Sequence, residues 1–371
     1  MDKKEKLNKL LYSSINSVIP ILIAFAIGAI AIILAKENPL SAYGTLFYRS
    51  LFNIKGIFNT LHFAGPLILT GLAIAISFKA GLFNMGIEGQ LLSAGFVVAV
   101  MGNVWGELPK TVLVPLLLVV GVLVGVIVAI IPTMLKAFYN VNEMVVTLLL
   151  NYAIIHVLQY LTENTFRDPS SGYVSTPRIS SNAIPSRIFE DYRLTTFFIV
   201  AIVVFVIFYF IMKRSKLGFE ITALGQNRNF AEATGMRIQK KIIIIMLTSG
   251  ALAGLAGAGW MMSEKYAYTL SFSGIPGLGW DGMLIALLGS HSPIGILIAA
   301  VFYAVVKTGS SNIAIFTSVP YEIVILLQAL IVLFLSLKVF VKPKDLSLGE
   351  PEKPKKKLKR IFKFGGKGGK E

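Results

Sequence analysis

The feature that most constrains this chain is a series of apolar segments, most of them long enough to cross a lipid bilayer. A transmembrane helix needs about twenty predominantly apolar residues. Hydrophobic residues make up 55% of the 371 residues and charged residues only 15%, a composition that a soluble domain of this length would not carry. We therefore predict an all-α, polytopic membrane protein with about ten transmembrane helices. The segments lie near residues 16–35, 61–79, 86–102, 111–135, 142–161, 194–213, 242–262, 276–290, 293–311 and 319–338.

The uneven distribution of lysine and arginine predicts how these spans are oriented. Residues 213–241 contain seven Lys or Arg against two acids, whereas residues 162–192 contain three Arg and four acids. The first connection is therefore predicted to face the cytoplasm and the second the outside, with both termini cytoplasmic. We expect a cytoplasmic N-terminus over 1–15, a transmembrane domain over 16–338 that includes a cytoplasmic segment at 214–241, and a basic, disordered cytoplasmic tail over 339–371.

Several classes of function are disfavoured by the composition. The chain has no cysteine, so thiol catalysis and cysteine-ligated metals are excluded. Its three histidines are scattered without metal-ligand companions, and we expect neither a metal site nor catalytic residues. A phosphate-binding G-x-x-x-x-G-K-[ST] loop is missing, so this chain is not expected to hydrolyse ATP. The net charge of +16 is concentrated at the ends of apolar segments and in the tail, which indicates membrane topology rather than nucleic-acid binding.

A glycine-rich run at residues 79–90, KAGLFNMGIEGQ, places polar groups between two apolar segments. Polar groups at membrane level are costly and usually functional. Asn84 and Glu88 are four residues apart and share a face if the run is helical. Two interpretations stay open: either these side chains line a polar path, or Glu88 stabilises a local turn, for example by pairing with Lys79.

A second polar stripe lies on the predicted fifth span, where Asn142, Glu143, Thr147 and Asn151 follow one another at helical spacing. In lipid such a stripe must face protein or water. It either lines a translocation path or joins helices by hydrogen bonds. The glycine-rich residues 81–95 also have a faint counterpart at 274–289, which contains Asp281. This echo is compatible with two related halves, a common construction of transporters.

The predicted cytoplasmic residues 217–235 are long for a connection and rich in helix formers. They predict short helices that dock into a groove on a cytoplasmic partner or lie on the membrane surface.

Four sequence runs resemble one family: GLFNMGIEG at 81–89, NEMVVTLLLN at 142–151, GQNRNFAEATG at 225–235 and GMLIALLGSHSPIG at 282–295. In this order they resemble the membrane permeases of bacterial ABC importers for nucleosides and simple sugars, including those of the ribose and branched-chain amino-acid type. The run GLAIAISFKAGLFNMGIEGQ is most similar to the longer permease subunit of nucleoside importers. The resemblance extends over about residues 60–340.

The resemblance implies a type II-like importer permease in the bacterial plasma membrane. Its expected partners are a second homologous permease in a heterodimer, a cytoplasmic protein that binds ATP and Mg, and an extracytoplasmic substrate-binding lipoprotein. The path would be formed by Asn84, Glu88, Asn142, Glu143, Thr147, Asn151 and Asp281. Contacts with the ATPase would involve Glu220, Gly225, Arg228, Glu232 and Gly235.

The implied function is the passage of nucleosides by alternating access, driven by ATP in the partner. An ABC permease for ribose or another simple sugar is the nearest alternative. An ion-coupled secondary transporter, in which Glu88 or Glu143 carries a proton, is an alternative of another class. A membrane-embedded enzyme would need a convergent catalytic cluster, against which the sparse acids and histidines argue.

Overall fold

The computed structural model describes residues 22–274, 277–320, 322–326 and 329–330, and the regular elements in these ranges are helical. Helices α6 and α10 each continue through a π-helical turn, Leu161–Thr165 and Met261–Lys265. The α-helices are α1 Leu22–Leu34, α2 Pro39–Phe47, α3 Ile54–Lys79, α4 Ile87–Val104, α5 Lys110–Tyr139, α6 Glu143–Tyr160, α7 Phe197–Arg214, α8 Lys216–Gln226, α9 Arg228–Ala233, α10 Ile238–Trp260, α11 Leu278–Leu288 and α12 Pro293–Phe316.

Seven helices in the described part of the chain are long and apolar enough to cross a membrane. They are α3, α4, α5, α6, α7, α10 and α12, counting the π-helical turns of α6 and α10 with them. Helices α1 and α11 are apolar but shorter. The predicted first span, 16–35, and the predicted last span, 319–338, lie partly outside the described residues. A total of ten spans therefore stays a prediction, whereas an all-helical, multi-span membrane protein is confirmed.

Helices α3, α4 and α10 form the centre of the bundle, and α5, α6 and α7 lie at its periphery. In the most apolar 18 residues of α3, 83% are buried within the chain, against 17% in α6. Peripheral helices expose their remaining apolar surface, which suits contact with lipid or with another membrane protein. The central helices carry buried polar side chains such as His62, Glu88 and Ser249, which a bilayer would not tolerate.

Close contact between α5 and α10 depends on glycines at the point where the helices meet. A Cβ atom at Gly254 would overlap the carbonyl oxygen of Gly121, and one at Gly125 would overlap that of Gly250. Small residues allow membrane helices to approach in this way, so that their backbones make van der Waals contact. These glycines are therefore packing residues.

An aromatic cluster fixes the chain between α10 and α11. The indole N–H of Trp260 donates to the Phe272 carbonyl oxygen at 3.1 Å. Tyr268 stacks on Phe272 with their ring centroids 5.1 Å apart, and Gly95 of α4 leaves room for the Phe272 ring. All three aromatic side chains are buried. They therefore hold the start of α11 against α4, where the candidate site is located.

Candidate functional site

The loop between α3 and α4, residues 80–86, lies at the centre of the candidate site. Asn84 is fully buried, and its amide donates to Ser249 Oγ of α10 at 2.9 Å. Ser249 in turn donates to the Ala73 carbonyl oxygen of α3 at 2.6 Å. The Asn84 Oδ1 atom accepts the Gly86 N–H at 3.0 Å. Asn84 thus joins the loop to two central helices, with both ends of its amide engaged by protein groups.

The polar stripe of α6 contacts the backbone of this loop. Glu143 Oε1 accepts the Phe83 N–H at 3.1 Å, and Thr147 Oγ1 accepts the Met85 N–H at 3.0 Å. Asn151 makes two bonds: its Oδ1 accepts the N–H of residue 89 at 2.9 Å, and its Nδ2 donates to the carbonyl oxygen of residue 85 at 2.5 Å. Three side chains one helical turn apart therefore bind three backbone groups of the loop and one in the first turn of α4, in keeping with the interpretation of the stripe as helix-joining.

The start of α6 adds two further interactions. Lys136 Nζ of α5 lies 2.8 Å from Glu143 Oε2, so the buried Glu143 has a cationic partner. Asn142 caps the helix, because its Oδ1 accepts the N–H groups of Met144 and Val145. The exposed position of Asn142 separates it from the three buried members of the stripe.

Glu88 connects the first turn of α4 to the first turn of α11. Its side chain is only 7% exposed, and Oε2 accepts the Gly279 N–H at 2.7 Å. Gly277, with φ of 117°, and Gly279 leave space for the carboxylate, since a Cβ at either position would lie within 3 Å of it. Sequence analysis left Glu88 either on a polar path or in a local turn paired with Lys79. Its contact with α11 spans 191 residues and left no local signal.

Asp281, also on α11, is fully buried in an ion pair with α12. Lys307 Nζ lies 2.8 Å from Asp281 Oδ2, and the Tyr303 hydroxyl donates to Oδ1 at 2.5 Å. Sequence reasoning missed Lys307 and Tyr303. A lone lysine within the apolar run 293–311 was a usable signal, because such a residue needs a partner.

A small cleft, with room for about one water molecule, lies beside Glu88. Asn84 and Glu88 contribute polar groups to its lining, and Ile74, Trp280 and Met283 contribute apolar surface. A largely apolar lining with a few polar groups is typical of small-molecule sites. Of the residues predicted to form a path, Asn84 and Glu88 line this cleft, whereas Asn142, Glu143, Thr147, Asn151 and Asp281 are not part of its lining.

The segment predicted to contact an ATPase forms the two short helices α8 and α9. Glu220 pairs with Lys241 of α10 at 2.5 Å, and the Arg228 guanidinium donates to Asn140 Oδ1 at 3.4 Å. Glu232 is exposed on α9, and Gly235 has φ of 83° just after that helix ends.

Gly225 lies against the carboxyl end of α3. A Cβ atom there would overlap the Lys79 carbonyl oxygen, and the Cα of Gly225 lies close to Gly81, whose φ is 71°. Gly81 belongs to the loop that carries Asn84. The α8–α9 segment is therefore in direct backbone contact with the start of the candidate site.

Two phenylalanines on the segment are turned away from the protein: Phe219 of α8 is 71% exposed and Phe230 of α9 is 62% exposed. Large exposed aromatic side chains are common anchors in protein interfaces. Sequence analysis had not singled out either residue.

Within the described ranges, no three His, Cys, Asp or Glu side chains lie close enough together to hold a metal ion.

Comparison with known proteins identifies the family. Residues 56–336 match the family described as the permease component of the branched-chain amino acid transport system. The chain belongs to this family. No solved structure matches the permease.

Three characterised relatives align with almost the whole permease. It is 34% identical to the guanosine ABC transporter permease protein NupP of Bacillus subtilis, over 86% of this chain and 91% of that protein. It is 32% identical to the nucleoside ABC transporter permease protein NupB of Lactococcus lactis, over 91% and 96%. It is 34% identical to the glucose ABC transporter permease protein TsgB13 of Haloferax volcanii, over 88% and 87%.

Proposed function

We propose that this permease is one membrane subunit of an ATP-driven importer of nucleosides. The observation that carries the proposal is similarity over most of the chain to two permeases named for guanosine and nucleosides. The mixture of polar and apolar residues around Glu88 supports it, because a neutral nucleoside needs hydrogen-bonding groups and a flat apolar surface rather than a strong countercharge.

The translocation path runs past the loop at residues 80–86 in this proposal. Glu88 faces the substrate in this arrangement, since it lines the cleft, and Asn84 holds the loop to α10. Glu143, Thr147 and Asn151 hold the loop through its backbone. Asp281 holds α11 to α12, and Asn142 caps the amino end of α6. Substrate contact and loop support are thus assigned to different residues of the predicted set.

The partners expected for such a subunit are a second homologous permease, an ATP-binding protein that supplies ATP and Mg, and a substrate-binding lipoprotein. The ATP-binding protein contacts α8 and α9 on the cytoplasmic side, with Phe219 and Phe230 as anchors. Movement of this segment reaches the loop through the close contact between Gly225 and the end of α3. Ten spans, two related halves and cytoplasmic termini complete the proposed arrangement.

Import of a simple sugar is the second candidate, favoured by the similarity to a permease named for glucose. A pyranose or furanose ring would meet the same residues, but it offers no aromatic base to pack against Trp280. Discrimination between the two candidates therefore depends on competition between substrates.

The deciding experiment measures uptake by proteoliposomes that contain the permease with its sister permease, ATPase and lipoprotein. Labelled guanosine is supplied with a hundredfold excess of unlabelled guanosine, adenosine, ribose or glucose. We expect nucleosides to suppress the uptake of label and the sugars to have no effect. Uptake of labelled glucose or ribose, with no uptake of guanosine, would transfer the assignment to the sugar branch.

A further inference from the structure

The carboxyl ends of α3 and α7 bring two lysines to the same side of the protein. Lys79 is the last residue of α3, and Lys213 lies in the last turn of α7. The two helices touch near the other end of the bundle, where a Cβ atom at Gly65 would lie 3.7 Å from the Phe197 ring. They run in the same direction, because α8, which follows α7 directly, contacts the end of α3 at Gly225. From their shared contact the helices extend about 21–24 Å to the lysines, which therefore lie at similar depth.

These two lysines lack the carboxylate partner that other lysines of the bundle have. Lys136, Lys241 and Lys307 are each paired with a carboxylate of this chain. Within the part of the chain that the structure describes, neither Lys79 nor Lys213 forms an ion pair. Lys79 is half-buried, and the charge of Lys213 repels it. A half-buried ammonium group beside a like charge is unfavourable unless an anion lies close to both.

An exposed apolar stripe on α7 continues from Lys213 towards the middle of the helix. Val203, Val206 and Phe210 are all exposed, and their spacing of three and four residues places them on the same face as Lys213. Arg214, the next residue, is exposed as well and adds a further positive charge. A cationic helix end joined to an apolar helix face matches an amphiphile, with its anionic group at the lysines and its acyl chains along the stripe.

We propose that the ends of α3 and α7 bind an anionic phospholipid of the cytoplasmic leaflet, with its phosphate between Lys79 and Lys213. A free phosphate carries the same charge but leaves the apolar stripe of α7 uncovered. The carbonyl oxygen of Lys79 lies against Gly225 of α8, and Lys79 directly precedes the loop at residues 80–86. The bound phosphate therefore offsets the repulsion between the lysines where α3, α7 and α8 meet, next to the candidate site. This lipid site does not depend on which substrate the permease carries.

The test is titration of the purified permease in detergent with phosphatidylglycerol, with the first bound lipid measured by native mass spectrometry. We expect Lys79→Gln and Lys213→Gln each to weaken binding about fivefold, and the double variant about 25-fold, since one lysine beside an anionic lipid contributes about a factor of five. Lys240→Gln is the matched control, because it removes an exposed lysine at the start of α10, on the same predicted cytoplasmic side, and it should leave binding unchanged. A double variant that binds the lipid as tightly as this control would overturn the proposal.

Lysine acetylation of the unmutated permease tests the same site if the variants fail to fold. The permease is compared in nanodiscs of phosphatidylcholine with and without phosphatidylglycerol, and peptide mass spectrometry gives the rate at each lysine. Phosphatidylglycerol should slow the acetylation of Lys79 and Lys213 relative to Lys240, and unchanged relative rates would overturn the proposal. Inorganic phosphate added to the phosphatidylcholine nanodiscs at constant ionic strength should give no such protection. Protection of both lysines by inorganic phosphate alone would assign the site to a free anion and overturn the lipid as its occupant.

Discussion

Replacing Lys307 with methionine leaves the Asp281 carboxylate buried without its cation. Asp281 has no exposed surface, and Tyr303 supplies its other hydrogen bond. Removing one partner of a buried ion pair costs about 3–5 kcal/mol, because the remaining charge keeps its desolvation penalty. At about 0.8 kcal/mol per degree for a chain of 371 residues, we therefore expect Lys307→Met to lower the Tm of the purified protein by roughly 4–6 °C.

The partner substitution should cost less. The Lys307 side chain is 21% exposed, so the lysine of an Asp281→Asn variant can extend its ammonium group towards water. The double variant should recover much of the loss, because it leaves neither charge unpaired. The expected order of Tm is therefore wild type, then the double variant, then Asp281→Asn, with Lys307→Met lowest.

The assay is thermal unfolding followed by intrinsic tryptophan fluorescence in one detergent at one pH. Lys240→Met, which removes an exposed lysine at the start of α10, is the control and should change Tm by no more than about 1–2 °C. A Lys307→Met variant as stable as this control would refute the reasoning. So would a double variant whose loss equals the sum of the two single losses.

Three further substitutions probe the packing and the loop. Gly254→Val forces α5 and α10 apart and should prevent accumulation of folded protein. Gly172→Val, in open space, is the control and should leave the yield unchanged. The yield of each variant is measured by size-exclusion chromatography. Asn151→Ala removes one bond to the loop backbone and one to the first turn of α4, and should cost about 1–3 kcal/mol. We expect a lower Tm, and an unchanged Tm would show that these two bonds are not needed to hold the loop. Gly225→Val displaces α8 from the Lys79 carbonyl and should lower the amount of substrate taken up per ATP hydrolysed in the reconstituted importer. A ratio equal to the wild-type value would show that this contact does not transmit movement from α8 to the loop.

The positions of the long helices were predictable because hydropathy measures what a bilayer requires. The predicted span 142–161 begins one residue before α6 and ends four residues before its π-helical turn does, at Thr165. Helix α3 starts seven residues earlier than the predicted 61–79, because its first two turns contain polar residues and are not part of the apolar run. Hydropathy did not reveal which helices are central. Helix α5 has the higher hydropathy but only 22% of its apolar window is buried, whereas α3 is less apolar and 83% of its window is buried.

The polar residues of the site were predictable as a set, but their contacts were not. Spacing of three and four residues placed Glu143, Thr147 and Asn151 on one face of a helix, as the structure has them. Their partners are backbone groups about 60 residues earlier in the chain. Backbone groups carry no residue-specific signal, so a sequence pattern cannot indicate that a side chain will bind them.

The most direct test of the importer assignment is accumulation of labelled guanosine in proteoliposomes against its concentration gradient. The permease is compared alone, with its partners, and with an ATPase that binds but does not hydrolyse ATP. We predict accumulation only when the sister permease, the active ATPase and the lipoprotein are all present, and no effect of an uncoupler. Accumulation by the permease alone under a proton gradient, abolished by the uncoupler, would contradict the assignment and favour an ion-coupled transporter.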